Sequence, residues 1–481
     1  MAKMFIAGES VDSITGATYE VLNPANGDVV DTLPKGNADD AKRAIDAAEA
    51  AFDEWSHTSA EERAKLLFKA AEMVEGERKS LAELLCREQG KPFQEASGEL
   101  EHFHHGIDFY AGLASKVRGA HVPLPAKNAY GMVVRKPLGV CGAIVPWNFP
   151  ITLMGTKVGP ALAAGNTVVV KPASTTPLTT IRVIELMNQA GLPKGVLNVV
   201  TGPGGIVGEE LLINPKVRRI AFTGESATGK HVAEVACGDF KRVTLELGGS
   251  DPMIVCDDAD IAKAVTGAMV GRFWNAGQAC LAVKRLYLFD QIYDAFLKSL
   301  ADKVSRYEVG DGMTRAEKPK IRMGPLHTAV QRDEIEAQVK DAVDRGAKVV
   351  IGGARPEGAQ YERGFFYQPT ILENVPDDAR AVKEETFGPL LPVFRVSSLD
   401  EALERANGSM YGLGSSIWTK NLDNIESAID RLQAGNVWVN SLHYGYDELP
   451  FGGVKASGFG REHGPEALDY YLEPKGIVIT R

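Results

Sequence analysis

The chain has 481 residues, 44% hydrophobic and 24% charged, with a formal net charge of −10 and a pI near 5.6. These proportions exclude disordered and fibrous classes and fit a globular protein of two or three domains with a large core. The acidic balance argues against a nucleic-acid partner, whose binding surface needs clustered Lys and Arg. The five cysteines, Cys86, Cys141, Cys237, Cys256 and Cys280, are odd in number and scattered. Neither a disulfide framework nor a metal site is expected from them, and a reducing compartment fits best. Met1 to Val11 reaches Glu9 too soon for a secretory apolar region, and no uncharged apolar run approaches a membrane span. No membrane partner is expected, and the cytoplasm is the expected location.

Residues 38 to 118 show helical spacing, as in Ala41, Ala44, Ile45, Ala48, Ala51 and Phe52, then Leu66, Leu67, Ala70, Ala71 and Val74. From Gly139 the pattern turns to short apolar strands alternating with helices. Strands are expected at 140–145, 167–170, 196–200, 219–222 and 242–247, with helices at 158–164, 179–190, 205–213 and 230–236. Five strands with helices between them predict a parallel, doubly wound sheet. Past Gly249 the alternation resumes with strands at 253–255 and 286–289 and helices at 261–270 and 292–307. A polar surface connector at 310–320 and an amphipathic helix at 329–344 follow, so a second α/β domain is the simplest account. The pieces at 132–137 and 470–479 read as strands at the domain margins, and strands left outside a main sheet often pair with another chain.

The stretch Arg272-Phe273-Trp274-Asn275-Ala276-Gly277-Gln278-Ala279-Cys280 offers a cysteine from a glycine-bearing turn, and Leu245-Glu246-Leu247-Gly248-Gly249 supplies a lone glutamate. A thiol and a separate carboxylate are the two parts that make and then hydrolyse a thioester. Lys284 and Arg285 follow the cysteine, a setting that favours the thiolate; the alternative is a cysteine that serves only as a small buried hydrophobe. The Gly-x-Gly-x-x-Gly dinucleotide fingerprint is absent after the first strand, where Pro146-Trp147-Asn148-Phe149-Pro150 stands instead. Gly202-Pro203-Gly204-Gly205 has the wrong spacing and reads as a tight turn. Phe222-Thr223-Gly224-Glu225-Ser226-Ala227-Thr228-Gly229 is better placed. There a strand ends in glycine and a helix begins, which either aims free N–H groups at a ligand or simply caps the helix.

Taken together, Pro146-Trp147-Asn148-Phe149-Pro150, Lys171-Pro172, Phe222-Thr223-Gly224, Glu246-Leu247-Gly248-Gly249, Gly277-Gln278-Ala279-Cys280, Glu385-Thr386-Phe387-Gly388-Pro389 and Pro450-Phe451-Gly452-Gly453 resemble, in order and spacing, the NAD(P)-dependent aldehyde dehydrogenase superfamily. The resemblance covers almost the whole chain. It implies an α/β protein with a modified Rossmann cofactor domain (1–118 and 138–248) and an α/β catalytic domain (249–449). A small β bridging piece (119–137 and 465–481) is implied to pair subunits into homodimers or homotetramers.

The same resemblance implies that Cys280 attacks an aldehyde, that the Asn148 amide and the Cys280 N–H hold the oxyanion, and that hydride passes to NADP or NAD. Glu246 is implied to activate the hydrolytic water, with Lys157 relaying protons. Cofactor contacts are implied at Val145, Pro146, Trp147, Lys171, Ser174, Gly204, Phe222, Gly224, Glu225, Thr228 and Leu247. Glu385 is implied to hold the nicotinamide ribose, with Phe387 beside the ring. The residues themselves also allow Asn148 to cap the following helix, Glu385 to pair with Lys383, and Lys157 to lie on a helix surface.

Two departures from the family pattern carry consequences. Ser174 stands where many NAD-preferring relatives have an acid, which removes repulsion of a 2′-phosphate, so NADP is expected to be accepted. Glu225 stands where serine is common, and a carboxylate beside a pyrophosphate costs affinity unless it turns outward. Gly248-Gly249-Ser250-Asp251-Pro252 and Ser174 are similar to the succinate-semialdehyde dehydrogenase branch. However, Trp274 and Thr156 occupy the positions of the arginines that grip its substrate's carboxylate. Phe149, Leu153, Trp274 and Phe273 then predict a less polar substrate tunnel favouring neutral medium-chain or aromatic aldehydes, with His443 or Arg285 as candidate cations for an acid. The other readings are a semialdehyde-specific enzyme, a CoA-acylating dehydrogenase and a catalytically silent structural homologue. Relatives that acylate CoA generally lack the glutamate found here as Glu246, and an intact Cys280, Asn148 and Glu246 set opposes silence.

Overall fold

The apolar run Val140–Ile144 lies at the centre of an eight-stranded sheet in a computed structural model that describes residues 1–314 and 321–481. To one side lie Thr167–Lys171 and Leu197–Val199, and to the other Val217–Thr223 and Arg242–Glu246, all parallel. Successive strands therefore go first one way and then the other from the first strand. That reversal opens a crevice beyond the carboxyl ends, where doubly wound sheets bind their ligands. The expected helices cover the faces as Pro150–Ala164, Leu178–Gln189, Glu209–Ile213 and Ser226–Gly238. Antiparallel edge strands that the hydropathy pattern did not reveal close the sheet, Met4–Ile6 with Glu9–Val11 on one side and Gly458–Phe459 on the other. Each has two or three residues, too few for an alternation to register.

A second, seven-stranded sheet runs in the order Lys348–Ile351, Thr370–Glu373, Leu390–Val396, Val283–Phe289, Asp251–Val255, Gly414–Trp418, Asn436–Val439, and only its first strand is antiparallel. The amphipathic helix forms at Ala329–Asp344 as its spacing predicts. Part of the expected 310–320 connector, residues 315–320, lies outside the described residues. The two marginal pieces form Ala129–Pro137 and Leu472–Thr480, antiparallel from Leu472↔Pro137 to Thr480↔Ala129, with Ala120–Pro123 beyond. This small sheet stands apart from the other two, and Ala120–Pro123 is exposed along its length.

The helical lead-in folds as Ala38–His57, Ala60–Gly76, Arg78–Gln89 and Phe93–Leu113. Its last helix positions the site, because it packs on Pro150–Ala164 through two glycines. An ideal Cβ on Gly155 would lie 2.8 Å from the Phe103 ring, and one on Gly159 would lie 2.8 Å from the Tyr110 ring. Both aromatics are buried, so added carbon has nowhere to go. Gly159→Val is expected to destabilise the fold by about 1–3 kcal/mol through overpacking. Gly112→Ala, in the partner helix Phe93–Leu113 and with nothing within 4 Å of the new carbon, is expected to be neutral or stabilising by up to about 1 kcal/mol. Urea unfolding followed by circular dichroism reads both signs.

Candidate active site

Helix Ile261–Phe273 ends in a turn whose residues Asn275, Ala276 and Gly277 have φ of 48°, 54° and 73°. For Ala276 this left-handed geometry costs roughly 1–2 kcal/mol, and the surroundings hold it. The buried Arg272 guanidinium donates to Val283 O (3.2 Å), Gly277 O (3.4 Å) and Thr386 O (2.9 Å), and also to Gly388 O. Gln278 Nε2 donates to Asn275 O (2.9 Å), and Gln278 Oε1 accepts from His327 N (2.8 Å). The turn delivers Cys280 to the junction of two cavities, and it is the one described residue that lines both.

The first cavity, of about 320 Å³, is walled by Phe149, Leu153, Trp274, Leu281 and Phe451, with Tyr444, His102 and His463 also along it. Phe149 and Trp274 stand 4.7 Å apart. The second cavity, of about 280 Å³, is lined by Pro146, Trp147, Asn148, Thr223, Gly224, Glu225, Glu246, Leu247, Glu385 and Phe387 among others, and thus gathers much of the expected cofactor set. Trp147 stacks on His327 at 4.6 Å and meets Phe387 edge-on at 5.5 Å.

Glu246 ends strand Arg242–Glu246, is buried, and has no nitrogen or oxygen partner for either carboxyl oxygen among the described residues. Burial, reinforced by the Glu462 charge, pushes its carboxyl up to about 8, while the adjoining Cys280 thiol and Lys157 pull the other way. Burial and the Glu246 charge also hold the Cys280 thiol well above its ordinary value. Lys284 pulls that thiol down, but it does not prevail, so the thiolate-favouring setting expected from the sequence is corrected: the resting thiol is protonated. Arg285 contributes nothing there, because it donates to Ser250 O (2.7 Å), Ala406 O (2.9 Å) and Arg405 O (3.0 Å).

Asn148 does not cap the following helix. Its Nδ2 donates to Gln278 O (3.1 Å), while the N–H groups of Ile151 and Thr152 go to Glu99 Oε1 (2.8 and 3.3 Å). Lys91 Nζ bonds both Glu99 (2.5 Å) and the Asn148 carbonyl (2.7 Å), fixing that residue from behind. Lys157 is buried rather than on a helix surface, and its Nζ donates to Thr223 Oγ1 (2.8 Å) and Glu462 Oε1 (2.7 Å). Glu462 also accepts from Thr156 Oγ1 (2.7 Å). Glu385 pairs with Lys284 (2.5 Å) instead of Lys383 and accepts from Gly249 N (3.0 Å). Lys284 in turn donates to Cys280 O (2.7 Å), tying that carboxylate to the cysteine loop.

The remaining expected cofactor residues sit along the carboxyl edge of the first sheet. Lys171 is buried, and desolvation lowers its ammonium to about 8. Among the described residues its side chain has no hydrogen bond or ion pair, as befits a cation waiting for an anion. Ser174 Oγ donates to Gly202 O (2.9 Å), and Gly204 opens a short helix with nothing within 4 Å of a virtual Cβ. Helix Ser226–Gly238 starts without a side-chain cap: Glu225, at its N-cap, makes no capping bond and is exposed at the lining of the second cavity, and Thr228 is exposed on the first turn. Val145 and Phe222 are buried in the core and do not line the second cavity. A buried free cation, an uncapped helix and an open glycine pair fit a dinucleotide.

His443 and Arg285 do not line the substrate cavity, which corrects their expected service to an acid. His443 is buried on Trp438 (4.5 Å), with Nδ1 at Leu281 O (2.9 Å) and Nε2 at Ser416 Oγ (2.7 Å). Phe273 belongs to the core of the second sheet. Sequence reasoning missed Glu462, Lys91, Glu99 and His463. One signal was available: a lysine within the otherwise apolar Pro150–Ala164 demands a buried anionic partner. Among the described residues no helix is long and apolar enough to cross a membrane.

The profile of the aldehyde dehydrogenase family matches residues 11–477. The chain is 42% identical over 476 residues to betaine aldehyde dehydrogenase of Bacillus subtilis (strain 168), covering 98% of this chain and 96% of that protein. It is 41% identical over 474 residues to the NADP+ succinate-semialdehyde dehydrogenase of Escherichia coli (strain K12), covering 98% and 97%. Among solved structures, 3,6-anhydro-L-galactose dehydrogenase in complex with NAP superposes with a TM-score of 0.97 at 39% identity over 100% of both chains. Betaine aldehyde dehydrogenase of Staphylococcus aureus in complex with NAD+ superposes at 0.96 with 36% identity, over 100% of this chain and 95% of that one.

Because the Glu246 charge raises the thiol, Glu246→Gln is expected to make Cys280 more acidic. Alkylation by iodoacetamide in cofactor-free protein near pH 9 should then quicken severalfold, because a larger share of the thiol is ionised. Mass spectrometry of the peptide carrying Cys280 measures this directly, and an unchanged rate would remove Glu246 from the thiol's surroundings.

Proposed function

Because this chain belongs to the aldehyde dehydrogenase family, oxidoreductases that oxidise aldehydes with NAD or NADP, we propose that Cys280 is its nucleophile and Glu246 its base. The observation that carries the reading is the position of Cys280 where the apolar cavity meets the cofactor crevice. As an aldehyde enters, Glu246 in its carboxylate form takes the thiol proton and Cys280 Sγ bonds the carbonyl carbon. The Asn148 amide, held by Lys91 and Asn275 through its own carbonyl, and the Cys280 N–H stabilise the oxyanion. When bound, NAD(P) accepts the hydride, which leaves an acyl thioester on Cys280. Glu246 passes the thiol proton on through Lys157 and Glu462, then deprotonates a water that hydrolyses the thioester to the carboxylic acid, and sheds this second proton by the same route.

Lys171 and the uncapped start of Ser226–Gly238 would hold the cofactor phosphates, Glu385 the ribose, and Phe387 would lie beside the ring, with Trp147 a further cofactor contact. Ser174 leaves room for a 2′-phosphate, so NADP is accepted at least as well as NAD. Residues 1–118 with 138–248 form the cofactor unit, 249–449 the catalytic unit, and 119–137 with 465–481 the bridge; only Gly458–Phe459 joins the cofactor sheet from outside these ranges. The open edges of the bridging sheet pair subunits into a homodimer or homotetramer. Five free cysteines fit a cytoplasmic location.

An aldehyde panel, assayed with and without CoA by reduced-cofactor absorbance, tests the reading. Turnover that needs CoA would reassign the acyl acceptor, and no turnover with any aldehyde would make the chain a silent homologue. Cys280→Ala is expected to abolish oxidation. Glu246→Gln is expected to keep a burst of reduced cofactor while steady turnover falls roughly 10²–10⁴-fold, the usual reach of a general base. Since burial sets the Glu246 carboxyl at about 8, the base form accumulates as pH rises. Wild-type deacylation should therefore climb toward pH 8 and level above it, and the glutamine variant should lose that limb.

Ser174→Glu is expected to shift cofactor preference toward NAD, since a carboxylate repels the 2′-phosphate and accepts bonds from ribose hydroxyls. Ratios of kcat/KM for the two cofactors measure the shift, and an equal loss of both would place Ser174 away from the ribose.

A further inference from the structure

The substrate cavity is not apolar throughout. The exposed Tyr444 lines it together with His102 and His463, and Tyr444 Oη lies 2.7 Å from His102 Nδ1. His463 is only 4% exposed, and its φ of 54° marks a strained backbone held by its surroundings. Its Nδ1 lies 2.7 Å from Oδ1 of the buried Asp447, whose Oδ2 lies 2.7 Å from His105 Nδ1. A carboxylate only accepts, so His463 donates from Nδ1, the tautomer that in a neutral imidazole leaves Nε2 to accept. Among the described residues nothing bonds Nε2. The cavity-lining Gly445 faces it, where a virtual Cβ would stand 3.6 Å away and the missing side chain leaves room for an incoming group.

We propose that His463, oriented by Asp447, accepts a hydrogen bond from the far end of the substrate, so that the preferred substrates are aldehydes carrying a hydroxyl donor at the end remote from the aldehyde. This rests on the dehydrogenase reading above and specifies its substrate class. Phe149 and Trp274 grip the body of the molecule while His463 reads its tip. A methyl in place of the hydroxyl leaves a buried acceptor unpaired, and a carboxylate at that position faces the lone pair of Nε2 with the Asp447 charge behind it. Both are disfavoured.

The test compares kcat/KM for 4-hydroxybenzaldehyde against 4-methylbenzaldehyde, and for 6-hydroxyhexanal against heptanal, in the full-length enzyme with the acid product quantified by chromatography. The two pairs separate a phenolic from an alcoholic donor. The expected hydroxyl-to-methyl ratio is about 10 in the wild type for at least one pair, as for one net hydrogen bond. It should fall to about 1 in His463→Leu and recover partly in His463→Gln, whose amide oxygen accepts. Turnover of the methyl compound in each variant shows that the protein is folded. A wild-type ratio of one or less, a ratio unmoved by His463→Leu, or a preference for 4-formylbenzoate overturns the proposal. So does retention of stoichiometric zinc that Asp447→Asn abolishes, because His102, Asp447 and His463 have ligand atoms within 4.8 Å of one another and such zinc would make the cluster a metal site. If the wild type oxidised none of the four aldehydes, the dehydrogenase reading itself would fail. Calorimetric titration of Cys280→Ala with the two aromatic aldehydes then reads the hydroxyl contact alone, and equal affinities would reject it.

Discussion

The active site hangs on the buried Arg272 guanidinium. Placing that cation in the core costs several kcal/mol of hydration, and its ionisation is correspondingly lowered to about 9 by burial. Four backbone carbonyls offset the cost, and they belong to three separate stretches: the turn before Cys280, the strand after it, and the Thr386–Gly388 segment that carries Phe387. One side chain thus fixes the nucleophile's loop relative to the wall of the cofactor crevice. The left-handed run at Asn275, Ala276 and Gly277 is held by the Arg272 bond to the Gly277 carbonyl and the Gln278 bonds to the Asn275 carbonyl.

The electrostatics follow from the same enclosure. Burial raises both Cys280 and Glu246, and the Glu246 charge raises the thiol further. Activation has to come with the ligands, through the oxyanion donors and the loss of the thiol proton. Lys284 shows how finely the site is divided. Its ammonium touches the Cys280 carbonyl and Glu385 at once, yet the net thiol shift stays upward.

The parallel sheet and its helices were legible because its strands are continuous apolar runs in regular alternation with helical patterns, as in Val140–Ile144 and Thr167–Lys171. The edge strands were not, since Met4–Ile6 and Gly458–Phe459 owe their pairing to distant partners rather than to any local alternation. The expected site residues Cys280, Glu246, Asn148 and Phe387 meet around one junction although 239 positions separate the first and last of them in sequence, which only the shared motif order signalled. The supporting residues escaped notice for the opposite reason. Glu462, Lys91 and Glu99 sit in unremarkable polar contexts, and their importance comes from long-range bonds to Lys157 and Asn148. His443 misled because an isolated histidine near a motif carries no sign of whether it faces a cavity or a tryptophan.

A cysteine reached from two sides also separates traffic. Under the function proposed above, the aldehyde and its acid would use the cavity beside Tyr444 and the nucleotide the one beside Glu225, with Cys280 the residue common to both linings. In that arrangement nucleotide exchange would not require the acyl group to leave the thiol first. A substrate delivered directly from another enzyme docked over Tyr444 would leave the nucleotide doorway clear.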